Sequence, residues 1–166
     1  MAVECETVTA PLAVRPHVVA DNAGLAQLFV EMQRHYHVPC PSFETIIADL
    51  AGLPAGVEIL VAETDTIVGF AIFSTIYPGP GLRGGFFLKE LFVSEASRGS
   101  GAGRLLMQAL ARTALERGHG RVDWTADREN QRLLTFYDSL GGIRQSEKQF
   151  FRLTGEALAY LAKAGD

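Results

Sequence analysis

Six residues, Arg98-Gly99-Ser100-Gly101-Ala102-Gly103, stand between a strongly apolar run at 86–93 and an amphipathic stretch at 101–117. Glycines at alternate positions let a backbone turn sharply and come close to a ligand. The first N–H groups of a following helix have no partners within it, and they carry the positive end of its dipole. A pyrophosphate suits such a cradle, with Arg98 and Arg104 adding charge. A glycine-rich connection without a ligand is the plainer reading of the same residues. Two familiar phosphate loops are excluded: the spacing is G-x-G-x-G rather than G-x-G-x-x-G, and no Gly-Lys-Ser/Thr ending follows.

The stretch at 101–117 carries Leu105, Leu106, Ala109, Leu110 and Ala114 as one apolar stripe, which predicts a helix. Gly118 and Gly120 end it, and 121–125 reads as a strand. Strand, helix and strand over 86–125 make a βαβ unit with parallel strands and a right-handed crossover. Residues 57–63 and 67–75 are rich in β-branched and aromatic types, and a tight turn at 64–66 joins them as an antiparallel hairpin. A short first strand is expected at 12–15. A helix at 21–35, capped by Asp21, buries Leu25, Leu28, Phe29 and Met32. Pro39 and Pro41 break it. Ser42 caps a second helix holding Ile46, Ile47 and Leu50. Residues 77–85 form a Gly/Pro loop, 130–140 a helix stopped by Gly141 and Gly142, 149–153 a last strand, and 156–163 a terminal helix capped by Thr154. The fold class is α+β, a mixed, mostly antiparallel sheet flanked by helices.

The 166 residues suit a single domain at 12–166 behind a loose tail at 1–11. Hydrophobic residues make up 48% and charged residues 20%, too apolar a balance for a disordered chain. The net charge is −4 without any Lys/Arg run, which argues against nucleic acid as a partner and suits a cationic substrate. Two cysteines, Cys5 and Cys40, make no disulfide framework. No signal peptide, transmembrane helix or membrane association is expected, and the cytoplasm is the expected compartment.

The glycine motif has company. Leu88-Lys89-Glu90-Leu91-Phe92-Val93 precedes it by four residues. Val122-Asp123-Trp124-Thr125 comes after the helix, followed by Asn130 and by Phe136-Tyr137-Asp138-Ser139-Leu140-Gly141. This ensemble resembles the acetyl-CoA-binding core of the GNAT acetyltransferases, specifically over 88–142 and more loosely over 12–153. Within that superfamily it looks closest to the diamine (spermidine/spermine-type) and histone-polyamine branches. The resemblance implies a mixed sheet whose fourth and fifth strands splay around acetyl-CoA. The backbone of Leu91, Phe92 and Val93 would pair with the pantetheine. Gly99, Ser100, Gly101, Ala102, Gly103 and Arg104 would hold the pyrophosphate beside Arg98. Asn130 would contact the cofactor, and Tyr137 would lie near the sulfur.

The chemistry is attack of an amine on a thioester carbonyl. An alkylamine with a pKa of about 10.4 is neutral in roughly one molecule per few thousand at pH 7. Something must therefore take its proton, and something must meet the departing thiolate. Tyr137 is the candidate acid, since a phenol stays protonated at neutral pH and still donates; its plainer reading is a core aromatic. Glu90 is the candidate base or amine-binding carboxylate, because a charge in an apolar strand is costly without a task or partner. The alternative is pairing with Lys89 or Arg83. The polyamine branch usually shows Leu-Glu-Asp here, and Lys89 departs from it. Strand alternation puts Lys89 and Glu90 on opposite faces unless a bulge intervenes.

His35 and His37 flank Tyr36 without a third ligand at suitable spacing, so no metal is expected. By resemblance, that turn lines the substrate mouth. His17 and His119 read as surface residues, Asn130 as a helix cap in its plainer reading, Trp124 as core or as a wall of the acyl or amine pocket, and Asp127 and Glu129 as carboxylates able to attract a cation. The leading function is acetyl-CoA-dependent N-acetylation of a small-molecule amine. Acetylation of a protein lysine or N-terminus and a non-catalytic acyl-CoA-binding regulator are the alternatives. A homodimer is expected, with Phe150, Phe151, Leu158, Tyr160 and Leu161 offering surface for it.

Overall fold

The computed structural model describes residues 10–163; most of the expected tail, and Cys5 with it, lies outside them. Five strands form one sheet in the order of the chain: β1 (Ala13–Pro16), β2 (Val57–Glu63), β3 (Ile67–Ile76), β4 (Gly85–Val93) and β5 (Val122–Trp124). The first four pair antiparallel, and β5 joins β4 in parallel. The helices are α1 (Asn22–His35), α2 (Phe43–Ala51), α3 (Ala102–Glu116), α4 (Gln131–Ser139) and α5 (Gly155–Lys163). The chain divides into two compact units after Ala126.

In the first unit, strand alternation sends side chains to two separate cores. Leu60, Ala62, Ala71, Phe73, Phe86 and Leu88 meet Leu106, Ala109 and Leu110 of α3. Ile59, Val61, Phe70 and Phe92 meet Leu25, Leu28 and Met32 of α1 and Ile46 and Leu50 of α2. The sheet is thus covered on both faces by helices whose apolar stripes were legible in the sequence. Ser42 caps α2, its hydroxyl accepting from the Thr45 amide at 3.2 Å. Asp21 is not the side-chain cap expected for α1. Its carboxylate is spent on the Arg15 guanidinium, at 2.7 and 2.9 Å, and on the Val18 amide. The hydrogen bonds from Arg15 hold the Asp21 carboxyl below its ordinary range.

Where β4 and β5 meet, the chains are tightly zipped. The Phe86 amide donates to the Arg121 carbonyl at 3.0 Å, and the Gly120 amide to that of Gly84 at 3.3 Å. A Cβ on Gly85 would lie 2.6 Å from Arg121 Cγ, and one on Gly84 2.7 Å from His119 Nδ1, so only glycine permits this approach. His119 packs edge-on against Phe86 with ring centroids 4.8 Å apart, and His17 Nε2 lies 2.6 Å from Asn22 Oδ1. Both histidines are half-buried rather than surface residues.

In the second unit, α4 starts from Asn130, whose side chain accepts from the Leu133 amide at 3.0 Å. Tyr137 is the buried residue of α4, with the Phe136 ring 5.2 Å away. The strand expected at 149–153 is absent: this segment is irregular, with Phe150 and Phe151 exposed. Two adjacent phenylalanines do not alternate, and a strand exists only by pairing with another.

Candidate active site

Two departures from a regular ladder shape β4. The first is a bulge. Ile72 of β3 pairs with Glu90, and its neighbour Phe73 pairs with Leu88, so Lys89 is an extra residue. Ahead of the bulge, Phe86 and Leu88 face α3; beyond it, Leu91 and Val93 do. Glu90 opposes Ile72, which packs with the α1–α2 core. In an unbroken strand Glu90 would share the face of Phe86 and Leu88. The bulge turns it to the α1 side instead, and leaves Lys89 exposed.

There the Tyr36 hydroxyl donates to Glu90 Oε1 at 2.8 Å. Tyr36 is the C-terminal cap residue of α1. The preceding His35 ring stands 6.3 Å from the Phe92 ring, so the turn meets β4 at two points, Glu90 and Phe92. Neither Lys89 nor Arg83 makes an ion pair with Glu90 among the described residues. The sequence did not assign Tyr36 this contact, and a tyrosine between two histidines carries no signal for it.

The second departure is that β5 stops early. Its register with β4 runs only from Phe86 to Leu88. Beyond this point β4 continues through Leu91, Phe92 and Val93 with β3 on one side and no strand among the described residues on the other. The parallel pairing therefore ends before the stretch of β4 expected to meet the cofactor.

The glycine loop follows directly. Glu31 of α1 fixes its root, Oε1 accepting from the Glu95 amide at 2.7 Å and from the Ser94 hydroxyl at 3.2 Å. Arg98 folds back over the strand end, with Nε 3.4 Å from the Val93 carbonyl and its guanidinium carbon 6.0 Å from the Phe92 ring centre. Gly99 and Gly101 have φ of 85° and 92°, a left-handed backbone that side chains rarely adopt. The space beyond each is open to 4 Å. Gly101 caps α3 without offering a side chain, so the first turn, Ala102, Gly103 and Arg104, turns the positive end of the helix dipole to the loop. Ser100 Oγ takes the Ala102 amide at 3.4 Å. With two left-handed glycines at the N-terminal end of α3, the loop is a cradle that fits an anionic diphosphate.

Elsewhere the chemistry is local. Asp127 Oδ1 accepts from the Glu129 amide at 2.9 Å. Trp124 packs with the α3 core, and Cys40 is a free, exposed thiol. Among the described residues no group of three or more His, Cys, Asp or Glu is placed to hold a metal, and no helix is long and apolar enough to cross a membrane.

Comparison with known proteins agrees with this geometry. The profile of the acetyltransferase (GNAT) family matches residues 23–141. The chain is 35% identical over 97 residues to an L-ornithine N5-acetyltransferase of Arabidopsis thaliana, covering 58% of this chain and 42% of that protein. It is 28% identical over 130 residues to a thialysine N-epsilon-acetyltransferase of Sus scrofa, covering 74% of this chain and 70% of the relative. Thus the chain spans under half of the plant relative's length. An integron cassette protein from the mobile metagenome of V. cholerae superposes with a TM-score of 0.83 at 31% identity, covering 92% of this chain and 98% of that one. With its parallel β4–β5 pair, its glycine cradle and a family match across both, the chain belongs to the acetyltransferase (GNAT) family.

Proposed function

We propose that the protein moves the acetyl group of acetyl-CoA to a primary amine of a small, cationic, amino-acid-like molecule. The observation that carries this reading is the β4 bulge, which brings Glu90 to the α1 face beside the stretch of β4 that β5 leaves unpaired. The family match supports the cofactor. The names of two relatives, which act on ornithine and thialysine, support the amine class. The branch of the superfamily follows those amino-acid relatives more than the polyamine pattern, because Lys89 replaces one of that pattern's two acids.

In this reading the backbone of Leu91, Phe92 and Val93 receives the pantetheine amides. Gly99, Ser100, Gly101, Ala102, Gly103 and Arg104 hold the diphosphate, and Arg98 adds charge from above the strand end. Acetyl-CoA supplies an activated acyl group and a thiolate leaving group. Glu90 binds the substrate ammonium and takes its proton, directly or through water, so that the amine lone pair becomes available. Tyr137 returns a proton to the departing sulfur. Asn130 caps α4 with Oδ1, and its amide nitrogen is the group left to meet the cofactor. We place the protein in the cytoplasm as a homodimer.

The test is thiol release from acetyl-CoA with L-ornithine, thialysine, spermidine and a lysine-bearing peptide. The amino-acid amines should give the highest kcat/KM. The reading fails if the peptide is preferred, or if no amine releases thiol although acetyl-CoA binds.

A further inference from the structure

We infer that Tyr36 is a positioning residue for amine activation, acting through Glu90. The inference rests on the proposed role of Glu90. A carboxylate on a strand can swing between rotamers, and an amine can be deprotonated efficiently only by one held in place. The Tyr36 hydroxyl supplies that hold: it donates to Glu90 Oε1 at 2.8 Å. Oε2 is then the oxygen directed to the substrate ammonium. Tyr36 is itself secured, because it caps the last turn of α1 and its ring lies 5.4 Å from His35, which in turn meets Phe92. Glu90 and Phe92 are two residues apart on one face of β4, and His35 and Tyr36 are consecutive. The same short gap is therefore bridged twice, by a ring contact and by a hydrogen bond.

Tyr36 is 50% exposed, so it adds little to the core. The hydrogen bond also fixes what Glu90 can do. With Oε1 taken by the phenol, Oε2 is the oxygen that can accept from the substrate amine. The substrate group facing this pair is thus a protonated amine. A neutral hydroxyl can donate here without the added attraction of charge, and an anion is repelled.

The experiment is a double-mutant cycle with Tyr36→Phe and Glu90→Ala in the full chain. The readout is kcat/KM for L-ornithine, or for whichever amine of the panel turns over fastest. Thermal melting and acetyl-CoA affinity are measured for every variant. Tyr36→Phe should lower kcat/KM for the amine by roughly tenfold to a hundredfold, the scale of one hydrogen bond to a charged group. Its melting temperature and acetyl-CoA affinity should stay at parental values. In the Glu90→Ala background the same substitution should do nothing, since its target is gone. A merely structural tyrosine would give equal losses in both backgrounds, and that result overturns the proposal. So does a slow Glu90→Ala with Tyr36→Phe at the parental rate, which leaves the Glu90 reading standing. A Glu90→Ala at the parental rate defeats the Glu90 reading and Tyr36 with it.

Discussion

At the scale of single residues, the candidate chemistry is carried by side chains whose neighbours decide what they do. Tyr137 is buried in α4, a position that a packing residue and a proton donor would both occupy. Tyr137→Phe separates the two, because it removes one hydroxyl and almost no volume. If the phenol supplies the proton to the thiolate, kcat should drop by roughly 10²–10⁴-fold, as is typical of acid–base catalysis. Calorimetry should find acetyl-CoA bound as before; a variant as fast as the parent would reduce Tyr137 to packing. Glu90 was legible in the sequence as a charge in an apolar strand. Its partner was not: the resemblance put the turn at 35–37 at the substrate mouth, but Tyr36 lies 54 residues away and its residue type does not mark it for this contact. Contacts between distant positions are a property of the folded register, and residue type does not encode them.

At the scale of elements, periodicity revealed helices and strands well, and failed where an element depends on something outside itself. The α3 stripe and the β2–β3 hairpin follow from their own sequence. The bulge at Lys89 does not, since it exists only in the pairing of β4 with β3. The absent strand at 149–153 fails for the same reason: its composition is strand-like, but no partner pairs with it. The glycine loop lies between these cases, with its chemistry legible and its geometry added by the fold. Gly101→Glu puts a side chain on a left-handed backbone and a negative charge in the cradle. Acetyl-CoA affinity should fall at least tenfold, a loss of about 1.4 kcal/mol of binding, while circular dichroism stays unchanged. Equal affinity would mean that the diphosphate is held elsewhere. Ser42→Ala tests an element by stability alone. Losing the cap on α2 should cost about 1 kcal/mol, read from denaturant unfolding, with kcat untouched.

At the scale of the whole molecule, acid should weaken the fold in a defined window. Asp21 and Glu58 are held below their ordinary values of 3.8 and 4.5, chiefly by hydrogen bonds from Arg15 and Arg117. A depressed folded pKa contributes stability that is complete above the unfolded value and is lost as pH falls through the folded one. Melting temperature should hold from pH 7 to about 5 and fall below about 4. Asp21→Asn should start lower and lose less across that window; a parallel fall would remove Asp21 from the account. Assembly is a separate matter. Ile143, Phe150, Phe151 and Tyr160 are exposed, and light scattering at micromolar protein should give twice the monomer mass. A monomer mass would leave that surface to another role.

The early end of β5 has a consequence for handling the protein. A strand flank without a neighbour is a docking rail for any extended chain that carries amides. Pantetheine has such amides, and so does a peptide or the unfolded segment of another molecule. In the proposed reading, supply of the thioester would act as a chaperone: occupied, the rail is closed to strangers, and starved of it, the protein is open to sticking. Preparations kept with coenzyme A should outlast those stripped of it, and their lifetime in solution should follow the concentration of ligand.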